Sequence, residues 1–316
     1  MKRTIRYEPI RCASTLNAVK SPSMPFEWSI NPYRGCQHGC SFCYARATHA
    51  FLGAETDDTF QNLIFVKQNA ADALRRQLDR LFRSRRKGVS EVGSVAIGTA
   101  TDPYQPIEAT ARVTRGCLEV LAEYPMPVSI TTRSPLILRD IDLLKRISVR
   151  SINISIHTVN HAVWKHFEPT TPSPEKRLET VKRLAEEGLP VGVFLAPVLP
   201  YITDSRDELE TIVANAAECR AAFVMASCLR LSRPEVKHWF FRTLEAYDPR
   251  LVKRYAALYH RSGYPPQSYR DAIRKTVAEL LVRYGLSDTG PQPVRPAAVS
   301  PASDETVGKP RQLLLF

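Results

Sequence analysis

The sequence predicts an α/β fold. Its core is a parallel sheet, arranged as an open partial barrel or a doubly wound sheet, followed by a helical C-terminal extension and a disordered tail. Two observations predict the sheet. Short apolar, β-rich runs recur between residues 28 and 232, and stretches of helical periodicity lie between them. Strands that alternate with helices pair in parallel through βαβ units. A third observation predicts the extension: after Arg233 the alternation gives way to helices rich in arginine and aromatics.

The strand runs are Trp28–Ile30, Ser94–Ile97, Val128–Thr131, Ile152–Ile156, Val191–Leu195 and Ala222–Met225. The helical patterns include Ala70–Arg85, Thr114–Glu123, Leu138–Arg146, Pro174–Glu187 and Arg206–Cys219. Asn69 and Ser173 suit N-caps, Pro174 suits a first helical position and Gly188 suits a C-terminal stop. Six units are too few for an eight-unit barrel. In either remaining architecture chemistry gathers at the carboxyl ends of the strands. The segments there are Asn31–Tyr44, Gly98–Gln105, Arg133-Ser134, His157, Ala196-Pro197 and Ser227-Cys228.

The expected divisions are an N-terminal extension (1–27), the strand–helix body (28–232), a helical extension (233–285), a linker (286–311) and a tail (312–316). The linker is rich in Pro, Ser and Ala. It cannot bury enough apolar surface to offset its ordering entropy. With 44% hydrophobic residues the chain can build a sizeable core. Its net charge of +12 suits an acidic partner such as nucleic acid or anionic lipid. No apolar run is long enough to span a bilayer, and the basic start lacks the apolar stretch of a signal peptide. Seven cysteines, an odd number in a long chain, argue against a disulfide framework. The expectation is a cytoplasmic protein with reduced thiols.

The segment NPYRGCQHGCSFCYAR carries Cys36, Cys40 and Cys43 in a C-x3-C-x2-C spacing directly after the first strand. Three thiolates on one short loop can converge on one metal centre. A structural zinc site wants four ligands, and His38 is the candidate fourth. No second finger-like pair follows. An iron–sulfur cluster held by three cysteines leaves one iron for a substrate or cofactor.

With Phe42 just before the last cysteine, this pattern resembles the radical S-adenosylmethionine superfamily. The resemblance implies a partial (β/α)6 barrel, a [4Fe–4S] cluster and S-adenosyl-L-methionine cleaved to a 5′-deoxyadenosyl radical. It also implies a one-electron reductant such as flavodoxin or ferredoxin. Within the superfamily the chain resembles spore photoproduct lyase and its photolyase-like relatives from about Asn31 to Pro197. That resemblance is strongest in His166–Val198 and in the phrase IGTATDPYQPIE. Carried over residue by residue, it implies cofactor contacts at Thr101, Asp102, Arg133, Ser155 and Ala196, all at strand ends, and a relay tyrosine at Tyr44. There are two departures. The lyase's hydrogen-donating cysteine is matched by Thr99, and one of its two relay tyrosines by Phe42. Cys228, after the sixth strand, is the candidate replacement donor. Cys12, Cys117 and Cys219 read as buried small apolar residues.

Arg75, Arg76, Arg80, Arg83, Arg85, Arg86 and Lys87 crowd one helix and its exit. The C-terminal helices add Lys253, Arg254, Arg261, Arg270, Arg274 and Lys275, with Tyr255, Tyr259, Tyr264 and Tyr269 between them. Arginine with aromatics suits phosphate contact and base stacking; a solvated face over core tyrosines is the alternative. The expected activity is therefore a radical enzyme acting on DNA damage. RNA or a small molecule as substrate, and a zinc-stabilised nucleic-acid-binding protein, are the rival readings. Finally, Gln312–Phe316 (QLLLF) resembles the pentapeptide that binds the bacterial sliding clamp. Gln312, Leu313, Leu315 and Phe316 match, and Leu314 stands at the tolerant middle position.

Overall fold

The computed structural model describes residues 5–21, 24–52, 58–85 and 92–289. Arg86, Lys87, most of the expected linker and the Gln312–Phe316 tail lie outside the described residues. The strands, in chain order, are β1 (Arg6–Ile10), β2 (Leu16–Ala18), β3 (Trp28–Ile30), β4 (Tyr33–Arg34) and β5 (Leu63–Lys67). They continue with β6 (Val95–Ile97), β7 (Val128–Thr132), β8 (Val149–Ser155), β9 (Val191–Val198) and β10 (Val224–Cys228).

The large sheet has the order β10-β9-β8-β7-β6-β3-β2. β3 and β6 to β10 pair in parallel, each with its successor in that series, and β2 lies antiparallel on the free side of β3. A doubly wound sheet reverses its order at a switch point. This run of six parallel strands never reverses, so it is the wall of a partial (β/α)6 barrel. Each of the six predicted runs forms or overlaps one of these strands. β8 is buried from Ser151 to Ser155, as a parallel strand covered on both faces must be.

Helix starts follow their side chains. Ser173 accepts from the Lys176 amide and Ser205 from the Glu208 amide, which caps Pro174–Glu186 and Arg206–Glu218. Gly188 ends the former in the left-handed region, at φ 73°.

Four expectations are corrected. Asn69 does not cap Ala70–Arg85 with its side chain; its amide instead pairs with both backbone groups of Cys12. The helix expected over Leu138–Arg146 is a 3₁₀ segment, Pro135–Asp140, followed by one turn of α-helix, Ile141–Leu144. The cause is Asp140, which is buried and takes two bonds from adjacent Arg139 and one from Arg115. Neighbouring residues do not face each other on a regular α-helix. A second sheet, β1-β5-β4, was not predicted; it draws the N-terminal segment alongside the apolar run LIFVK. The first residues of the expected linker are packed against the body. Gly285 turns the chain back in a Schellman-type end, Leu286 packs on the core and Ser287 bridges Phe223 beside β10.

β9 and β10 approach closely at Gly192. A Cβ added there would stand 2.5 Å from the Phe223 ring and carbonyl oxygen. Gly192→Ala is expected to destabilise the body by about 1–3 kcal/mol through overpacking, read as a Tm lowered by a few degrees in thermal denaturation.

Candidate active site

The carboxyl ends of the parallel strands surround a cavity of about 370 Å3. Every residue carried over from the family pattern lines it: Cys36, Cys40, Cys43 and Tyr44 after β3, Thr101 and Asp102 after β6, and Arg133 after β7. Ser155 in β8 and Ala196 in β9 complete that set, and Cys228 in β10, the candidate replacement donor, lines the same cavity.

The cysteine loop is shaped by glycine and held by side chains. Gly39 has φ 59°, and a Cβ there would stand 2.2 Å from the Gln61 amide oxygen. Cys36 donates its amide to the Phe60 carbonyl, and Ser41 donates to Phe167. The segment after β6 grips the same loop. Thr101 Oγ1 donates to the Gly35 carbonyl at 2.7 Å and accepts from Gln105 Nε2 at 3.0 Å. Gln105 Oε1 accepts from the Gln37 amide, and Gln37 Oε1 accepts from the Ile107 amide. Thr170 Oγ1 contacts the Gln37 and His38 carbonyls. The Thr101 hydroxyl is therefore engaged as a tether for the cysteine loop.

Asp102 is equally committed. Oδ1 accepts from the Tyr104 amide and Thr132 Oγ1, while Oδ2 accepts from the Arg133 amide and lies 3.2 Å from His38 Nε2. Burial opposes its ionisation, yet His38 and these donors outweigh burial and hold the carboxyl down at about 2. Three hydrogen bonds and the neighbouring His38 ring commit the carboxylate, so Asp102 positions Arg133 and His38 around the cavity. His38 faces Asp102 and does not complete a four-ligand set with the cysteines.

Arg133 Nε donates to Glu168 Oε1 at 2.8 Å. Its terminal nitrogens make no hydrogen bond to the described residues, and they are available to a carboxylate in the cavity. Glu168 is fully buried and also accepts from Arg177 Nη2 at 2.7 Å, with His157 Nδ1 at 3.3 Å. Burial works against its charge. The Arg177, His157 and Arg133 charges prevail and keep the carboxyl well below its ordinary range. Arg177 also donates to the Ser155 carbonyl, so it holds β8 at the site. His157, buried beside Phe42, packs against that ring in a T-shaped contact and supports rather than lines the cavity. Sequence reasoning did not assign roles to Glu168, Arg177, Gln37 or Gln105, although Glu168 lies in the strongest matching segment.

Tyr44 is exposed at the mouth, and its hydroxyl donates to the Thr99 carbonyl. The Thr99 hydroxyl accepts from Asn31 Nδ2 at 2.9 Å. Cys228 is half-buried on the opposite wall. Cys117 is buried, whereas Cys12 and Cys219 are only partly so. Of the four interleaved tyrosines, Tyr255 and Tyr259 belong to the core and Tyr269 donates to Asp204. Tyr264 alone lines the cavity, with the Arg230 and Arg270 guanidinium carbons 5.3 and 5.4 Å from its ring centre. On the first basic helix, Arg75 is bound to Glu123 by both terminal nitrogens.

The donor set fits an iron–sulfur cluster. Burial, above all, pushes the Cys36 thiol up to about 12 and Cys40 well above its ordinary value, while Arg133 draws Cys40 down. Metal coordination deprotonates such thiols outright, and the adjacent guanidinium offsets the resulting negative charge. Among the described residues, no three His, Cys, Asp or Glu side chains converge on a single ion. A cluster gives each thiolate its own iron and asks only that the three face one space, which they do.

A family description, the radical SAM superfamily, matches residues 30–213. The chain belongs to that superfamily, whose enzymes use a [4Fe–4S] cluster and S-adenosylmethionine. An uncharacterised protein of Mycobacterium tuberculosis H37Rv is 34% identical over 316 residues, covering 99% of this chain and 88% of that one. A radical SAM Nα-GlyT isomerase of Pseudomonas phage M6 is 24% identical over 249 residues, 78% of this chain and 47% of the isomerase. Among solved structures, spore photoproduct lyase complexed with a dinucleoside spore photoproduct superposes with a TM-score of 0.63 at 17% identity. It covers 88% of this chain and 79% of the lyase, and it shares the fold.

Glu168→Gln leaves the buried Arg177 guanidinium and the partly buried Arg133 guanidinium short of their shared anion. The variant is expected to lose about 3–5 kcal/mol of stability, measured by denaturant unfolding.

Proposed function

We propose that this radical SAM enzyme acts on damaged DNA, in a photolyase-like repair reaction, and is recruited by the replication sliding clamp. The observation that carries the reading is Tyr264. It stands between two arginines on the wall of the same cavity as the three cysteines. A ring of this kind offers a stacking face to a displaced base, and the guanidinium groups suit its phosphates. A base reacting within a duplex must first leave the stack.

Cys36, Cys40 and Cys43 would hold the cluster. Arg133 would orient the carboxylate of S-adenosylmethionine, and Ser155 and Ala196 would border it. When bound and reduced by one electron, these groups together supply a 5′-deoxyadenosyl radical that removes a hydrogen atom from the substrate. The protein excludes water and fixes the approach. Thr99 cannot return a hydrogen atom as a thiol does, because its O–H bond is much stronger than an S–H bond. In this reading Cys228 gives its Sγ hydrogen atom to the product radical from the opposite wall and is left as a thiyl radical, which regains a hydrogen atom from the cofactor's 5′-deoxyadenosine or from an external thiol.

Anaerobically purified protein is expected to contain iron and sulfide, and to form 5′-deoxyadenosine only with reductant. Ultraviolet-irradiated DNA should change that rate. Stoichiometric zinc without iron, or indifference to every DNA tested, would overturn the respective part of the reading. Cys228→Ala is expected to keep 5′-deoxyadenosine formation and lose product; unchanged product yield would remove Cys228 from the reaction.

The clamp assignment rests on the resemblance of Gln312–Phe316. Deleting those five residues is expected to abolish binding to the clamp in a pull-down with purified components and to spare S-adenosylmethionine cleavage.

A further inference from the structure

A second cavity, of about 770 Å3, lies between the small sheet and the β2–β3 edge of the barrel. Three cations line it: Arg11, Arg34 and Lys67. No aspartate or glutamate does. Lys67 ends β5 and is only 6% exposed. Its ammonium donates to the Asn31 carbonyl at 2.7 Å, which leaves two donors unused. Among the described residues, no carboxylate pairs with any of the three cations. Lysine is almost never this buried without a paired anion. Here the missing charge is not supplied by the described residues.

We propose that this cavity binds a phosphate group. Lys67 supplies the buried charge, and Arg11 and Arg34 close over it from the exposed rim. Asn17 and Asn31 also line the wall, with their amide nitrogens bonded to Thr15, Ser29 and Thr99. The place is informative. Thr99 and Ala100 border both this cavity and the one that holds the cysteines. A phosphate seated here would therefore lie next to the cysteine cavity, on the other side of the Thr99–Ala100 segment. That suits a phosphodiester next to the reacting nucleotide, and equally the phosphate of a free nucleotide. The choice of phosphate over other anions rests on the nucleic-acid reading above.

The test uses full-length, cluster-loaded protein with Lys67→Met and Arg34→Gln. The first keeps the buried stem and removes the charge. The second alters an exposed side chain, so folding is not at stake. In one arm, inorganic phosphate is compared with chloride at equal ionic strength. Wild type is expected to gain thermal stability, and each variant to lose at least half of that gain. No gain in wild type, or equal gains in all three proteins, overturns the proposal. This arm needs no nucleic acid, so its failure is distinguishable from failure of the DNA reading.

In the second arm, a labelled oligothymidylate is compared with its uncharged methylphosphonate analogue. A loss of about tenfold or more in affinity for the charged strand in either variant, absent with the uncharged analogue, assigns the site to a strand phosphodiester. Phosphate protection without any change in strand binding supports the site and assigns it to a free or nucleotide phosphate.

Discussion

The site depends on one buried carboxylate. Glu168 has no solvent exposure, yet it faces Arg133 at the end of β7, Arg177 on the helix Pro174–Glu186 and His157 beyond the end of β8. A lone carboxylate at such depth would cost several kcal/mol of desolvation. Its charge is tolerable because three donors converge on it, and the same convergence draws neighbouring strand ends together. The segment that carries Glu168 also meets the cysteine loop, through the Phe167 carbonyl and the Thr170 hydroxyl. Cys40 Sγ lies 3.6 Å from Glu168 Oε1. Strand ends, guanidinium and thiol loop therefore share one electrostatic anchor.

What the sequence made legible follows from chemistry that is local in the chain. The cysteine spacing, the β-rich runs and the Ser173-Pro174 helix start each act within a few residues. The nine residues carried over from the family pattern, and Cys228 with them, reach one cavity because strand ends converge there whatever lies between them. The partnerships were not legible. Thr101 and Asp102 look from sequence like groups awaiting a ligand, but Gly35, Gln105, Thr132 and His38 occupy them. Apart from the Thr101–Gln105 contact, these pairings span 30 or more residues and have no local signature. The second sheet was missed for a related reason. β1 is largely exposed, and its pairing with β5 is visible only once the intervening chain has folded.

Charge is likewise poorly read from counts. The net excess of cations suggests a broad polyanion-binding face, yet several arginines already have partners. Arg75 is tied to Glu123, Arg115 to Asp140 and Asp142, and Arg206 to Glu279. The exposed pairs, Arg75–Glu123 and Arg206–Glu279, contribute little to stability, but all of these partnerships remove cations from the pool that could meet a ligand. The informative cations are those without acidic partners beside a cavity. They are concentrated near Tyr264 on one side of the site and at Arg11, Arg34 and Lys67 on the other.

The clasp around the cysteine loop has a consequence for the life of the enzyme. In many small metal-binding domains the metal is the organising element, and its removal unfolds the chain. Here Gly35 and Gln37 are held by Thr101 and Gln105, and the loop's far side by Thr170, all through protein–protein bonds. The cradle thus owes its shape to oxygen and nitrogen atoms that oxidation of iron and sulfide does not touch. Rebuilding a cluster lost to oxygen would then call for new iron and sulfide and for none of these bonds to be remade.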